Sequence, residues 1–352
     1  MSTTVLAAPA NIARSRSPNG VGGSGKSSSS KADDIAGTIA QNPLWRERAV
    51  RGINAAMASP PKLFDRSLMA RRLDRALARP VAGADFLLRR AAEELADRLA
   101  LVRREFPRAA DVGSPGPHGF EALRRRPGAE ATLRLAPTAA SAALGEGGAS
   151  VGDIERLPLG PENFELLTSL YALHGVNDLV GALIQMRLAL KPDGLLIAAL
   201  AGGDTLVELR YALTAAESEL TGGASPRVAP FADLRALGGL LQRAGFALPV
   251  VDADRVVVRY ADMFALMRDL RALGATNALH DRSRKPLSAK VFTRGAEIYC
   301  ERYSDPDGRV RATFETLWIS GWAPSESQPK PLKPGSAAMR LEDALKAAGK
   351  TG

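Results

Sequence analysis

The chain has 352 residues, 45% hydrophobic and 24% charged, enough for one large core or two modest domains, and it falls outside the collagen-like, coiled-coil and wholly disordered classes. Its net charge is +9, from 47 basic and 38 acidic residues, but the arginines alternate with acids in amphipathic patterns and aromatic residues make up only 5%, so no nucleic-acid partner is expected. One cysteine and three histidines leave no material for a disulfide or for a Cys- or His-based metal site, so no metal and a reducing compartment are expected.

Residues 1–61 are predicted to be a disordered or targeting tail, because Asp33 is the first acid and the stretch before it is rich in Ser, Gly and Ala with Arg14, Arg16, Lys26 and Lys31. From Leu63 the apolar positions Leu63, Phe64, Leu68, Leu73 and Leu77, then Phe86, Leu87, Leu88, Ala91, Leu95 and Leu99, recur at spacings of three and four. They predict two amphipathic helices that form an N-terminal helical lid over 62–107. Between 108 and 260 strand and helix alternate, the pattern of a parallel sheet with crossover helices. In order come a strand over 109–112, the turn Gly113-Ser114-Pro115-Gly116-Pro117, a helix over 119–126 and a strand over 131–135. An Ala/Gly/Ser-rich stretch over 137–150 carries no helical pattern, and a strand-type run follows over 164–173. A helix over 179–190 then leads through the turn Lys191-Pro192-Asp193-Gly194 into a buried strand over 194–200. That apolar run, 194–203, is about half of a bilayer span of roughly 20 residues, so no transmembrane segment is predicted, while peripheral membrane association stays open. Asp204 is expected to cap a helix reaching about residue 220; 231–244 reads as a helix closed by Gly245, and 246–260 as β-rich. A helical insertion and a final strand fill 261–323, with Cys300 packed beside Tyr299 and Tyr303, and 324–352 is an extended tail.

Asp111-Val112-Gly113-Ser114-Pro115-Gly116 is a strand ending in an acid, a Gly-rich turn and a helix start, which reads either as a cofactor-binding corner or as a tight turn. His174, in Leu173-His174-Gly175-Val176-Asn177-Asp178, lies at the carboxyl end of a sheet strand, where ligands bind in this architecture. With Asp178 it could position a proton relay, or it could hold a loop.

Together with Gly152-Asp153-Ile154-Glu155, Asn163-Phe164-Glu165-Leu166-Leu167 and Leu190-Lys191-Pro192-Asp193-Gly194, these segments resemble the middle of a class I S-adenosylmethionine-dependent methyltransferase. Phe64-Asp65-Arg66, Gly202-Gly203-Asp204-Thr205, Ser225-Pro226-Arg227, Gly321-Trp322 and Glu326-Ser327-Gln328 resemble more narrowly the mitochondrial complex I assembly factor family, which is methyltransferase-like yet hydroxylates an arginine. The resemblance implies an α/β fold: a Rossmann-like methyltransferase sheet with an N-terminal helical lid and a helical insertion before the last strand. It implies action on an arginine of a respiratory complex I subunit, in a bacterial cytoplasm or a mitochondrial matrix. The alternatives are an active methyltransferase on a small or carrier-bound substrate, and an assembly scaffold that has lost catalysis.

By motif position the resemblance assigns S-adenosylmethionine to Asp111, Gly113, Gly116 and Leu173, with Asp153 accepting from the adenine amino group; Asp153 is otherwise a turn residue. It assigns substrate or partner contacts to Asp65, Arg66, Asp204 and Arg227, which otherwise cap helices and pin the lid. Pro115 and Pro117 stand where the family turn has glycines, Ala136 stands where an acid holds the ribose, and Gly175 replaces an aromatic wall. The cofactor is therefore expected to bind weakly or not at all.

Overall fold

In the computed structural model, residues 4–7, 62–145, 147 and 149–329 are described. The predicted tails lie outside these residues, apart from Thr4–Ala7 and 324–329. Among the described residues, eight strands form one sheet in the order β1-β7-β8-β6-β5-β2-β3-β4. They are β1 Thr4–Ala7, β2 Arg108–Val112, β3 Ala131–Ala136, β4 Ala149–Val151, β5 Phe164–Leu170, β6 Leu190–Ala201, β7 Ala247–Tyr260 and β8 Val310–Trp322. Strands β4, β3, β2, β5 and β6 run parallel, whereas β8 lies antiparallel between β6 and β7. The expected α/β sheet is present.

Helices α1 Arg66–Leu77, α2 Phe86–Ala100, α3 His118–Arg124 and the short α4 Ala139–Ala142 precede β4. Then come α5 Leu179–Ala189, α6 Val207–Thr221, α7 Leu234–Arg243, α8 Met263–Ala272 and α9 Ala289–Tyr303. The apolar runs of β5 and β6 are buried on both faces, as strands covered by helices must be. One face takes Leu95 and Leu99 of α2, with Phe106 and Leu123, against Leu166, Leu195 and Ile197. The other takes Leu183 and Met186 of α5 and Leu237 and Leu241 of α7 against Val112, Leu135, Leu167 and Leu196. A third cluster joins α6, α8 and α9 to Val256, Val258 and Phe314 at the β7–β8 end. Of the predicted lid, α2 thus belongs mainly to the helical layer, and α1 alone crosses the carboxyl ends of the strands.

Helix α1 is tied down from two sides. The Phe64 amide donates to Asn177 Oδ1 at 2.7 Å, and Asn177 Nδ2 donates to the Phe64 carbonyl at 3.3 Å. Toward the insertion, Asp65 N donates to the Ala278 carbonyl, His280 N to the Leu63 carbonyl, and Arg72 to the carbonyls of Thr276 and Asn277. Gly274 has φ +73, and a Cβ there would meet Leu73 Cα at 3.0 Å, so the loop after α8 approaches the helix backbone as only glycine allows.

Several local expectations change. Asp204 does not cap α6: the helix starts at Val207 behind Leu206, whose backbone is left-handed at φ 56, and the Asp204 carboxylate meets Arg255 of β7 instead. The stretch 137–150 holds α4, capped by Thr138, and the start of β4. Cys300 is exposed rather than packed; it accepts from Ser304 Oγ at 3.2 Å. Gly245 does close α7, at φ +82.

Candidate functional site

A cavity of about 580 Å³ runs along the carboxyl ends of the parallel strands beneath α1. Gly113, Pro115, Pro137, Gly152, Asp153 and Ile154 line it toward β2, β3 and β4; Tyr171, Ala172 and His174 line it behind β5; Ala201, Thr205, Leu206, Phe314 and Glu315 line it toward β6 and β8. The roof is Arg66, Met69, Ala70 and Leu73 of α1, with Leu87 and Leu88 of α2 at the edge.

The expected cofactor residues separate into wall and support. Gly113, at φ +76, lies against Ile154, and a Cβ would come within 2.9 Å of the Ile154 side chain. Asp111 is fully buried behind the wall: its Oδ1 accepts from Ser114 Oγ at 2.6 Å and from Thr168 Oγ1 at 3.3 Å, and Oδ2 has no partner. Burial pushes its carboxyl up to about 6 against those hydrogen bonds and the nearby Arg134. Gly116 and Leu173 do not line the cavity; Gly116 abuts His118 and Leu88, and Leu173 is core. Asp153 does line it, but Oδ1 is held by Arg66 at 2.5 Å and accepts from the Glu155 amide at 2.9 Å, the turn geometry foreseen as its other role.

Among the described residues the largest fully buried side chain is Arg134, which was not singled out in the sequence. Its Nη1 donates to the carbonyls of Ser141 at 2.6 Å and Leu144 at 2.7 Å, and its Nη2 to Ser141 Oγ at 2.9 Å and the Ser114 carbonyl at 3.4 Å. One guanidinium therefore joins the loop after β2 to the loop after β3. The signal available in the sequence was a charge at the centre of an apolar strand.

His174 lines the cavity between Tyr171 and Phe231, with ring centroids 6.2 and 5.8 Å away in edge-to-face arrangement. Its Nδ1 is buried without a partner, and burial pushes the imidazole down to about 4. It is thus a neutral ring near pH 7, able to exchange a hydrogen bond with a ligand. Asp178 is not its partner: it is exposed and caps α5, accepting from Gly181 N at 2.7 Å. The space left by Gly175 is taken by Met69 of α1, so the roof replaces the missing aromatic wall.

Of the four expected substrate or partner residues, Arg66 alone reaches the cavity, with Glu155 at 3.0 Å as its second acid. Asp65 caps α1, accepting from Leu68 N at 2.9 Å, and faces Arg282 at 3.5 Å. Arg227 is locked to Glu217 at 2.5 Å. Asp204 is exposed at the outer rim with Arg255.

The fit to S-adenosylmethionine is poor. Asp111 is sealed off, β3 ends on the buried Ala136, and Asp153, expected on the adenine side, is engaged by Arg66. A carboxylate bound to a ligand's polar group is worth on the order of 1.5–3 kcal/mol, so losing or occupying three such acceptors removes a large part of a micromolar affinity. Calorimetry is expected to give a dissociation constant weaker than low micromolar, and Arg66→Ala, which frees Asp153, to tighten it by about tenfold, or ~1.4 kcal/mol. Low-micromolar binding by the wild type would contradict this.

A family profile described as "Methyltransferase domain" matches residues 110–198. Over 293 residues the chain is 39% identical to "Arginine-hydroxylase NDUFAF5, mitochondrial" of Danio rerio, covering 81% of this chain and 90% of that protein. It is 34% identical over 287 residues to "Malonyl-[acyl-carrier protein] O-methyltransferase" of Laribacter hongkongensis, covering 77% of this chain and 94% of that one. Among solved structures it is similar to the YcgJ protein of Bacillus subtilis, at 15% identity and TM-score 0.46, over 67% of this chain and 99% of that chain.

Proposed function

Because the chain belongs to the methyltransferase-like family that includes the mitochondrial arginine-hydroxylase NDUFAF5, we propose that it acts in the assembly of respiratory complex I by modifying an arginine side chain of one of its subunits. The observation that carries this reading is where the similarity extends. It covers 90% of the zebrafish protein and so continues beyond residues 110–198, the span of the methyltransferase profile. Segments beyond that span complete the cavity: α1 and Gly274 lie along its roof, and the Gly202–Glu315 corner stands at the β8 end, far from Asp153. The methyltransferase fold is the scaffold, and the cavity under α1 receives the side chain. The site of action is the matrix or bacterial cytoplasmic arm of the complex.

In cells lacking the gene, assembled NADH dehydrogenase activity is expected to fall at least severalfold and to return with the wild-type chain. The coverage of 94% of the Laribacter enzyme favours a second reading, methyl transfer to a carrier-bound acid. Intact NADH dehydrogenase together with loss of methylated malonyl carrier in the same cells would select it.

A further inference from the structure

We propose that Glu315 is the specificity-determining acid of the cavity, the group that receives the guanidinium of the substrate arginine; this rests on the arginine reading above. Among the described residues lining the cavity the acids are Asp153 and Glu315. Asp153 already carries the Arg66 guanidinium at 2.5 Å, whereas the guanidinium near Glu315, that of Arg255, lies at 3.4 Å and is bonded to Asp204. Glu315 stands on β8, separated from β4 by β6, β5, β2 and β3, so it marks the far end of the cavity. It is presented there by a built corner. Gly202 N and Thr205 Oγ1 donate to the Glu315 carbonyl at 2.8 and 3.0 Å, the Glu315 amide donates to Thr205 Oγ1 at 3.1 Å, and Asp204 N donates to carboxylate Oε2 at 3.1 Å. Any side chain at Gly202 would collide with that carboxylate. Leu206 at φ 56 and Tyr171 at φ 51 hold strained backbone within the cavity lining, the kind of cost that persists where a site requires it.

The surroundings match a guanidinium on an aliphatic stem. Tyr171, His174 and Phe231 offer ring faces and edges, and Met69, Leu273 and Phe314 offer apolar surface, so one carboxylate supplies the polar recognition. The chain already shows the fit from outside: the Arg255 guanidinium lies 3.4 Å from Glu315 Oε1 while bonded to Asp204. A carboxylate accepts up to about four hydrogen bonds, so the contacts from Asp204 N and Arg255 leave acceptor capacity for a second guanidinium.

The test uses blocked arginine, N-acetyl-arginine methylamide, and its uncharged isostere, the blocked citrulline, titrated into the full-length chain by ligand-observed NMR. Wild type is expected to prefer arginine at least tenfold. Folded Glu315→Gln is expected to bind arginine at least tenfold more weakly and citrulline equally, abolishing the preference. Arg255→Ala, which removes the competing guanidinium, is expected to bind arginine severalfold more tightly, and it decides the matter if the Gln variant does not fold. A wild-type preference that survives in Glu315→Gln, or with that variant unfolded an arginine affinity unchanged in Arg255→Ala, overturns the role of Glu315 alone. Absence of any preference in the wild type overturns the arginine reading with it.

Discussion

Replacing Arg134 by methionine is expected to cost about 3–5 kcal/mol of folding stability, read as a lower urea midpoint at unchanged slope. Methionine can occupy much of the volume, but it leaves the Ser141 and Leu144 carbonyls and Ser141 Oγ without their donor in a buried setting. Each orphaned acceptor carries a penalty of about 1–3 kcal/mol unless water reaches it. The variant also removes the positive charge that opposes the burial of Asp111. Lysine is not expected to rescue, since a single ammonium cannot reproduce the planar fork that reaches both loops. A loss below about 1 kcal/mol would show that the loops after β2 and β3 hold without the guanidinium.

The second large effect concerns pH. Asp111 titrates at about 6 in the folded chain against an ordinary 3.8, so the fold keeps a proton that the unfolded chain has lost. Its stabilising contribution is full below pH 3.8 and is lost as pH rises through 6. His174, depressed from 6.5 to about 4, works the other way: its contribution is present above 6.5 and is lost as pH falls through 4. Each amounts to roughly 3 kcal/mol at full extent, and in the interval between them the two oppose one another. Asp111→Asn leaves His174 alone, so stability is expected to fall by roughly 3 kcal/mol relative to wild type on acidification from near neutral to about pH 4. His174→Gln leaves Asp111 alone, and stability is expected to rise by a similar amount over that interval. Urea unfolding at a series of pH values checks both, and variant slopes equal to the wild type would contradict the assignment. The functional corollary is that His174 meets a ligand as a neutral ring.

How far the sequence could be read depended on whether a residue's partner was local. The apolar runs of β5 and β6 and the three-and-four spacing in α1, α2 and α5 identify these elements, because burial of a face is written in periodicity. Gly245 announced the end of α7 for the same local reason. Asp204 was misplaced because its competing partner, Arg255, is 51 residues away, and no spacing rule distinguishes a cap from a distant ion pair. The Ala/Gly/Ser-rich stretch that becomes α4 and the start of β4 has little periodicity of its own; it is fixed largely by Arg134 and by pairing of β4 with β3. At the site, motif order located the Gly113 corner, His174, Asp153 and Arg66. It did not separate Gly116 and Leu173, which support the wall, from the wall itself. Tyr171, Met69 and Glu315 were not singled out, since they come from separate parts of the chain that meet only on folding.

The most direct test is mass spectrometry of complex I subunits from cells with and without the gene. The account predicts one subunit arginine carrying a covalent modification in wild-type cells, unmodified in the deletion and restored by the wild-type chain but not by folded Glu315→Gln. Identical arginine modification in the presence and absence of the gene would contradict it.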